Sequence, residues 1–366
     1  MLDRRLFSNF NWWYFLLILA LALIGVIVIH SANHARPEAF YRNLYIKQIY
    51  WVLCGLGALL FAVFMDYRIL SRYAYLIFFL TVLSLIYVLL SGTISSGARR
   101  WIHIGPLTLQ VSEFAKFALI LVMAKYFEAG KASGQYDLRD LIVPTLMAGV
   151  LGGLIYMQPD LGTALIVIFI FFVFVVAIEL NPKTLWRLIG TGVVLAPFSW
   201  FFLKDYQKTR ILTLFNPELD PLKTGYHAIQ SKIAVGSGGF WGKGLMAGTQ
   251  SRLNFLPEKH TDFIFSVYAE ELGFIGVAVL LIMYLALILK GLNIAYRAAD
   301  RFGLFVALGI VGSLSFYVIF NIGMTIGIFP VTGLPLPLLS YGGSSLITNF
   351  FALGLLLNIE MRRTIH

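Results

Sequence analysis

Charge is what this chain has least of. Only 13% of its 366 residues are Asp, Glu, Lys or Arg, against 59% hydrophobic, and the mean hydropathy is +0.82. A soluble protein of this length carries about a quarter charged residues, so a water-exposed globular domain is excluded and lipid solvates most of the chain. Cysteine is almost missing too. Cys54 stands alone in an apolar stretch, which excludes an internal disulfide and leaves the redox compartment unread. Acids are scarcer than bases, 18 against 28. The basic excess flanks apolar segments instead of forming one patch, which fits membrane orientation and argues against a nucleic-acid partner.

Long apolar runs fill the space. The chain opens MLDRRLFSNFNWWYFLLILALALIGVIVI, two arginines and then a run too long for a cleaved signal sequence, so it reads as an uncleaved first transmembrane helix. At about 20 apolar residues per crossing, helices are expected near 12–32, 47–66, 71–91, 112–128, 140–157, 161–179, 184–203, 263–289, 302–328 and 337–358. The expected fold is therefore an all-α polytopic membrane protein of about ten spans, a single integral membrane domain over residues 1–366.

The connections are unequal in charge. One set carries Arg4, Arg5, Arg68, Arg72, Lys125, Lys131, Arg139, Lys183, Arg187, Lys290, Arg297, Arg301, Arg362 and Arg363. The opposite short loops carry only Arg36, Arg42, Lys47, Arg99 and Arg100. That asymmetry places both termini in the cytoplasm. Two outer segments exceed a simple link: 91–110, and a large extracytoplasmic loop over 204–262. Loops of that size carry function or are disordered. The aromatic residues and the GSGGFWGKG run of the second point to partial order at the membrane surface, so chemistry is expected on the outer face.

Ionisable groups near the membrane need a reason. In SEFAK, Glu113 and Lys116 are three apart and share a helical face; they are either an ion pair easing each other into the bundle or the lining of a polar cavity. Residues 254–265 read NFLPEKHTDFIF, with Glu258, Lys259, His260 and Asp262 at the lip of an apolar segment. Asp262 has two readings: a helix N-cap, or a carboxylate held at the lipid–water boundary. His260 and Asp262 alone specify no metal site. Arg99, Arg100, Lys204, Lys208, Arg210, Lys232 and Lys243 put positive charge on the outer side, which either meets an anionic group such as a lipid phosphate or is simply solvated. The proline- and glycine-rich FPVTGLPLPLLSYGGSS is irregular backbone of the kind membranes tolerate only when it is buried in protein or lines a cavity.

FLPEKHTDFIF, taken with QPDLGT at 158–163, GYHAIQSKIAVGSGGFWGKG at 225–244, SEFAK at 112–116 and GLPLPLLSYGGSS at 333–345, resembles the SEDS family (shape, elongation, division and sporulation). GARRWI at 97–102 makes it most similar to the RodA-type branch. The resemblance implies a multi-pass protein of the bacterial cytoplasmic (inner) membrane, with its active site on the extracytoplasmic side. It implies polymerisation of peptidoglycan from lipid II during cell elongation, within the elongation machinery and beside a class B penicillin-binding protein as transpeptidase. Membrane lipid surrounds the chain. The family's essential acid maps to Asp262 and its charged pair to Glu113 and Lys116.

Joining a sugar 4-hydroxyl to an anomeric carbon needs a base near the acceptor and positive charge near the departing undecaprenyl pyrophosphate. The expectation is Asp262 as general base in an inverting transfer, Glu113 and Lys116 in support, and Arg210 and Lys232 on phosphates. Gln230, Ser231, Ser340 and Ser344 are the candidates for positioning sugar hydroxyls. A divalent metal (Mg or Mn) suits a diphosphate, with no ligand set visible. Two other classes compete: a lipid II flippase, against which stands the lack of an inverted repeat, and a noncatalytic membrane scaffold for the transpeptidase.

Overall fold

The computed structural model describes residues 9–34, 36, 38–95, 98–104, 107–130, 135–220, 224–253, 255–256 and 258–363. Arg4, Arg5 and Lys131, counted above for orientation, lie outside them, as do Asn254 and Pro257 of the acidic motif.

Among the described residues ten long helices lie near the expected positions, the last starting at Gly343 instead of 337: α1 (Trp12–Asn33), α2 (Leu44–Phe64), α3 (Tyr67–Ser91), α4 (Val111–Glu128), α5 (Ile142–Met157), α6 (Leu161–Ala177), α7 (Pro182–Phe202), α10 (Ile264–Tyr296), α11 (Arg301–Thr325) and α12 (Gly343–Arg362). Seven of the helical segments are long and apolar enough to cross a membrane. Short polar residues start them. Asn11, Asp66, Asp160, Asn181 and Asp300 each accept a backbone N–H from the first turn, meeting donors the helix leaves open.

Helices pack closely where a side chain is missing. A Cβ at Gly354 of α12 would meet Leu59 O of α2 at 2.6 Å, and one at Gly309 of α11 would meet Ile120 Cγ2 of α4 at 2.7 Å. Small residues at such crossings let backbones approach and gain dispersion contact, the main attraction between helices in lipid. Asn358 then ties the far end of this pair, donating to Ala62 O and Val63 O at 2.8 and 2.7 Å.

The outer segments are more regular than hydropathy implies. Residues 93–110 form a three-stranded antiparallel sheet, β1 (Thr93–Ser95), β2 (Ala98–Ile104) and β3 (Leu107–Gln110), with Trp101 opposite Gln110 and His103 opposite Thr108. Strands this short give little period-two signal in sequence. The 204–262 segment holds α8 (Asp205–Phe215), α9 (Thr224–Ser237) and a single turn at Thr249–Arg252.

α10 has 33 residues, about 50 Å of helix against a hydrocarbon core of about 30 Å. It breaks at Gly273 (φ 63°, ψ −163°). The glycine run of the outer loop docks on the break: Phe274 N donates to Gly239 O at 2.9 Å, Lys243 N to Glu270 O at 3.1 Å and Gly244 N to Glu271 O at 2.9 Å. The backbone groups freed by the break are thus satisfied within the protein, as a low-dielectric setting requires. A Cβ at Gly273 would lie 2.2 Å from Gly242 N, so only glycine allows this approach.

The irregular 330–341 segment is buried as its sequence implies. Leu334, Leu336, Leu338 and Leu339 are all at most 2% exposed. Its carbonyls take side-chain donors from three spans, Tyr284 Oη to Pro337 O at 2.6 Å, Gln48 Nε2 to Ser340 O at 3.3 Å and Asn321 Nδ2 to Leu334 O at 2.7 Å.

Candidate active site

The starts of α4, α6, α10 and α12 meet the end of α11 at one end of the bundle. Gln110, just before α4, holds two of them: its backbone N–H donates to Ser344 Oγ at 3.1 Å and its Nε2 to Asp160 Oδ2 at 3.2 Å.

The turn at 258–263 sits among these ends, and its four titratable groups separate. Glu258 is exposed. Lys259 is fully buried, its ammonium donating to Ser251 O; burial, with the Arg36 charge nearby, pushes it down to about 8. His260 is set edge-on to Tyr41 and Tyr341. Asp262 alone is left facing the site.

Asp262 is not spent on the helix. α10 begins at Ile264 with Phe263 as its cap residue and no side-chain cap bond, so the N-cap reading falls away. Desolvation is the main influence on the Asp262 carboxyl and pushes it up from 3.8 to about 7. Repulsion from Glu258 and Asp160 contributes to that rise, while the Arg210 charge and a hydrogen bond from Thr261 oppose it. A carboxyl in this position stands half-protonated near neutral pH, the condition that suits a general base. Gly333 (φ 79°) lies against it, where a Cβ would be 3.2 Å from Oδ2.

Two bonds tie the Asp262 turn to the buried 330–341 segment, and a third braces that segment internally. Ser340 Oγ donates to Thr261 O at 2.6 Å and accepts from Leu336 N at 2.8 Å, while Tyr341 N donates to His260 O at 2.8 Å. Ser340, expected to touch a sugar, is occupied in bracing the acid's turn.

Arg210 on α8 and Lys232 on α9 line one cavity of about 250 Å³ together with Thr213, Gly327, Phe329, Pro330 and Val331. Neither has an ion-pair partner among the described residues. Partial burial draws the Arg210 guanidinium below its usual value, and Tyr206 and Asp262 offset this. Lys232 lies along the Gly327 backbone, where a Cβ would overlap its Cε. Other outer cations are committed elsewhere: Arg100 Nε donates to Gln158 O at 3.1 Å, and Lys243 Nζ lies 2.7 Å from Glu270 Oε1.

Glu113 and Lys116 are buried at 3% exposure each. Lys116 Nζ is 2.6 Å from Glu113 Oε2, and Tyr317 of α11 closes a triangle, donating to Glu113 Oε1 at 3.1 Å and receiving from Lys116 at 3.2 Å. The pair is thus an internal ion pair beside a cavity of about 340 Å³ that Lys116 helps to line. The ion-pair reading of SEFAK is the one the geometry bears out; Glu113 does not line the cavity, whose walls are largely apolar, Phe117, Ile120, Ile310, Leu314 and Leu353 among them.

The remaining candidates are more structural. Ser231 is fully buried, bonded to Ser266 Oγ and Thr325 O at 2.7 Å each, with no room for a sugar hydroxyl. Ser344 receives Gln110, and Gln230 is half-buried on α9 beside Lys232. Sequence reasoning left out Tyr317 and gave Asp160 no role of its own. The signal for the first was a hydroxyl within an apolar helical run. No group of three or more His, Cys, Asp or Glu side chains converges among the described residues.

A multi-span helical bundle with a desolvated acid and a cationic cavity at one end defines a polytopic membrane protein with a polar site at the mouth of its bundle. The model of the FtsW/RodA/SpoVE family, described as cell cycle protein, matches residues 11–365. The chain is 42% identical over 363 residues to the peptidoglycan glycosyltransferase MrdB of Escherichia coli strain K12, covering 95% of this chain and 92% of that one. It is 34% identical to the peptidoglycan glycosyltransferase RodA of Treponema pallidum, covering 97% and 98%. Its fold matches a chain from a structure on coordination of polymerization and crosslinking by a peptidoglycan synthase complex, at TM-score 0.82 and 33% identity over 98% and 99% of the chains. It also matches the crystal structure of rod shape determining protein RodA of Thermus thermophilus, at TM-score 0.71 and 30% identity over 98% of each chain. The chain belongs to the FtsW/RodA/SpoVE family, the SEDS family of the sequence resemblance.

Proposed function

We propose that this protein is a peptidoglycan glycosyltransferase that polymerises lipid II at the outer face of the bacterial inner membrane. The observation that carries the mechanism is the Asp262 carboxyl, free of the helix end, desolvated and raised to about 7, with the Arg210 charge of the cationic cavity acting on it. The acceptor 4-hydroxyl approaches Asp262, which takes its proton as the oxygen bonds to the donor's anomeric carbon. The carbon–phosphate oxygen bond breaks on the opposite side, and its electron pair leaves with undecaprenyl pyrophosphate, so one displacement inverts the anomeric centre. Arg210 and Lys232 offset the charge growing on the diphosphate. Glu113, Lys116 and Tyr317 hold the floor of the site as a closed polar triangle.

The charge asymmetry of the loops supports the outer location. The likeness to a chain of a peptidoglycan synthase complex that couples polymerization to crosslinking supports a crosslinking partner, for which a class B penicillin-binding protein is proposed, and the likeness to the rod shape determining protein RodA supports a role in elongation. The decisive experiment gives purified protein lipid II in detergent. Wild type forms glycan polymer and Asp262→Asn, still folded, forms none. Polymer from the Asn variant at the wild-type rate rejects the base.

A further inference from the structure

Asn321 lies in the apolar run SFYVIFNIGMT of α11 and is fully buried. A carboxamide in such a place must find partners for its donors. Its Nδ2 reaches two main-chain oxygens, Asp262 O at 3.0 Å and Leu334 O at 2.7 Å. The orientation is forced, because the flipped amide would set Oδ1 against two carbonyl oxygens. Resting on the reading of Asp262 as base, we infer that Asn321 is the positioning residue for that base, and that it sets the gap between the acid and its buried wall.

The two carbonyls belong to separate irregular segments. One is the turn that carries Asp262. The other is the run through Gly333, which covers Asp262 Oδ2. Neither segment has helix or strand bonds to fix its distance from the other, so one main-chain bond, Tyr341 N to His260 O, and side-chain bridges do it. Ser340 bridges the neighbouring positions, Thr261 and Leu336. Asn321 bridges Asp262 itself, and it does so from the interior of a membrane helix, the stiffest element at this end of the bundle.

Side-chain chemistry narrows what can replace it. Leucine has no donor, an ionised aspartate has none, and serine has one on a shorter arm. Glutamine keeps both donors on an arm one methylene longer. The bridge keeps the carboxyl covered, so its loss lets water reach Asp262 and restores an ordinary carboxylate proton affinity. Glu258, Arg210 and Asp160, the charged groups that act on Asp262, are untouched by the change.

The test uses full-length purified protein in detergent with lipid II, comparing wild type, Asn321→Leu, Asn321→Gln, Asn321→Ser and Asp262→Asn. For Asn321→Leu the expected loss is about 100-fold in kcat with KM within about twofold, the size of effect that misplacing a catalytic group by about 1 Å produces. The acid limb of its pH–rate profile moves down by about one unit or more, and Asn321→Gln recovers most of the rate. A purely structural role would instead lower Tm and folded yield with the pH midpoint unmoved. A folded Asn321→Leu with kcat within about threefold of wild type, or with an unmoved midpoint, overturns the inference. If Asn321→Leu does not fold, Asn321→Ser is judged by the same two criteria. Loss of activity in Asp262→Asn beside a normal Asn321→Leu rejects the positioning role alone; an active Asp262→Asn rejects the underlying base assignment.

Discussion

Lys116 Nζ lies 2.6 Å from Glu113 Oε2, one turn away on α4, with both side chains closed off from solvent. Truncating one partner strands the other charge in a low-dielectric interior. Lys116→Met should therefore cost about 3–5 kcal/mol, whereas Glu113→Gln combined with Lys116→Met recovers most of it. Thermal unfolding in detergent measures both, and equal losses in the single and double variants contradict the pairing.

The rate of polymerisation should rise with pH through about 7, as Asp262 loses its proton and becomes able to accept one. Glu258→Gln removes a charge that raises the Asp262 value and moves the acid limb down. Arg210→Gln removes a charge that lowers it and moves the limb up. Initial rates across pH 5 to 9 (about that range) give the two directions, and shifts of the same sign contradict the electrostatic account.

Stability carries its own signature. The folded chain holds the Asp262 proton more tightly than the unfolded chain, about 7 against 3.8, so that contribution is complete below about pH 4 and is lost as pH rises through about 7. Above that, an ionised Asp262 works against the fold. Asp262→Asn should melt above wild type at pH 8 or so, with the difference narrowing as the medium is acidified. Paired melting curves at both ends of the range check the sign.

Arg210→Ala and Lys232→Ala each remove a charge from the 250 Å³ cavity. A charge-assisted hydrogen bond to phosphate contributes about 1.5–3 kcal/mol, so the apparent KM for lipid II should rise by about tenfold or more. The effect should weaken in high salt. Unchanged KM in both variants removes the diphosphate from this cavity.

At Gly273, an added Cβ would meet Gly242 N at 2.2 Å and stand at a φ of 63°. Gly273→Ala should cost more than about 1 kcal/mol and free the 238–244 loop. Faster proteolysis within that loop and a lower Tm are the readouts; a protected loop would count against the docking.

The helices were legible because lipid enforces length and apolarity, and the boundaries from Trp12 to Arg362 follow that rule. Asp262, Arg210, Lys232, Glu113 and Lys116 were legible because charge in a greasy chain attracts notice. What hydropathy cannot carry is partnership. Ser340 and Ser231 looked like sugar contacts, and only the folded backbone shows their hydroxyls turned to Thr261 O and Thr325 O. The strands of 93–110 were too short to declare their period. Tyr317 and Asn321 sit inside otherwise ordinary spans, and their meaning comes from partners on other elements, 204 residues away for Glu113 and 59 for Asp262.

The struts around the acid end on peptide oxygens, those of His260, Thr261 and Leu334 among them. An oxygen of that kind is present whatever amino acid occupies the position. Homologues are therefore at liberty to drift in side-chain identity at these three sites while the carboxylate stays put, and the burden of constancy falls on the distant residues that reach in.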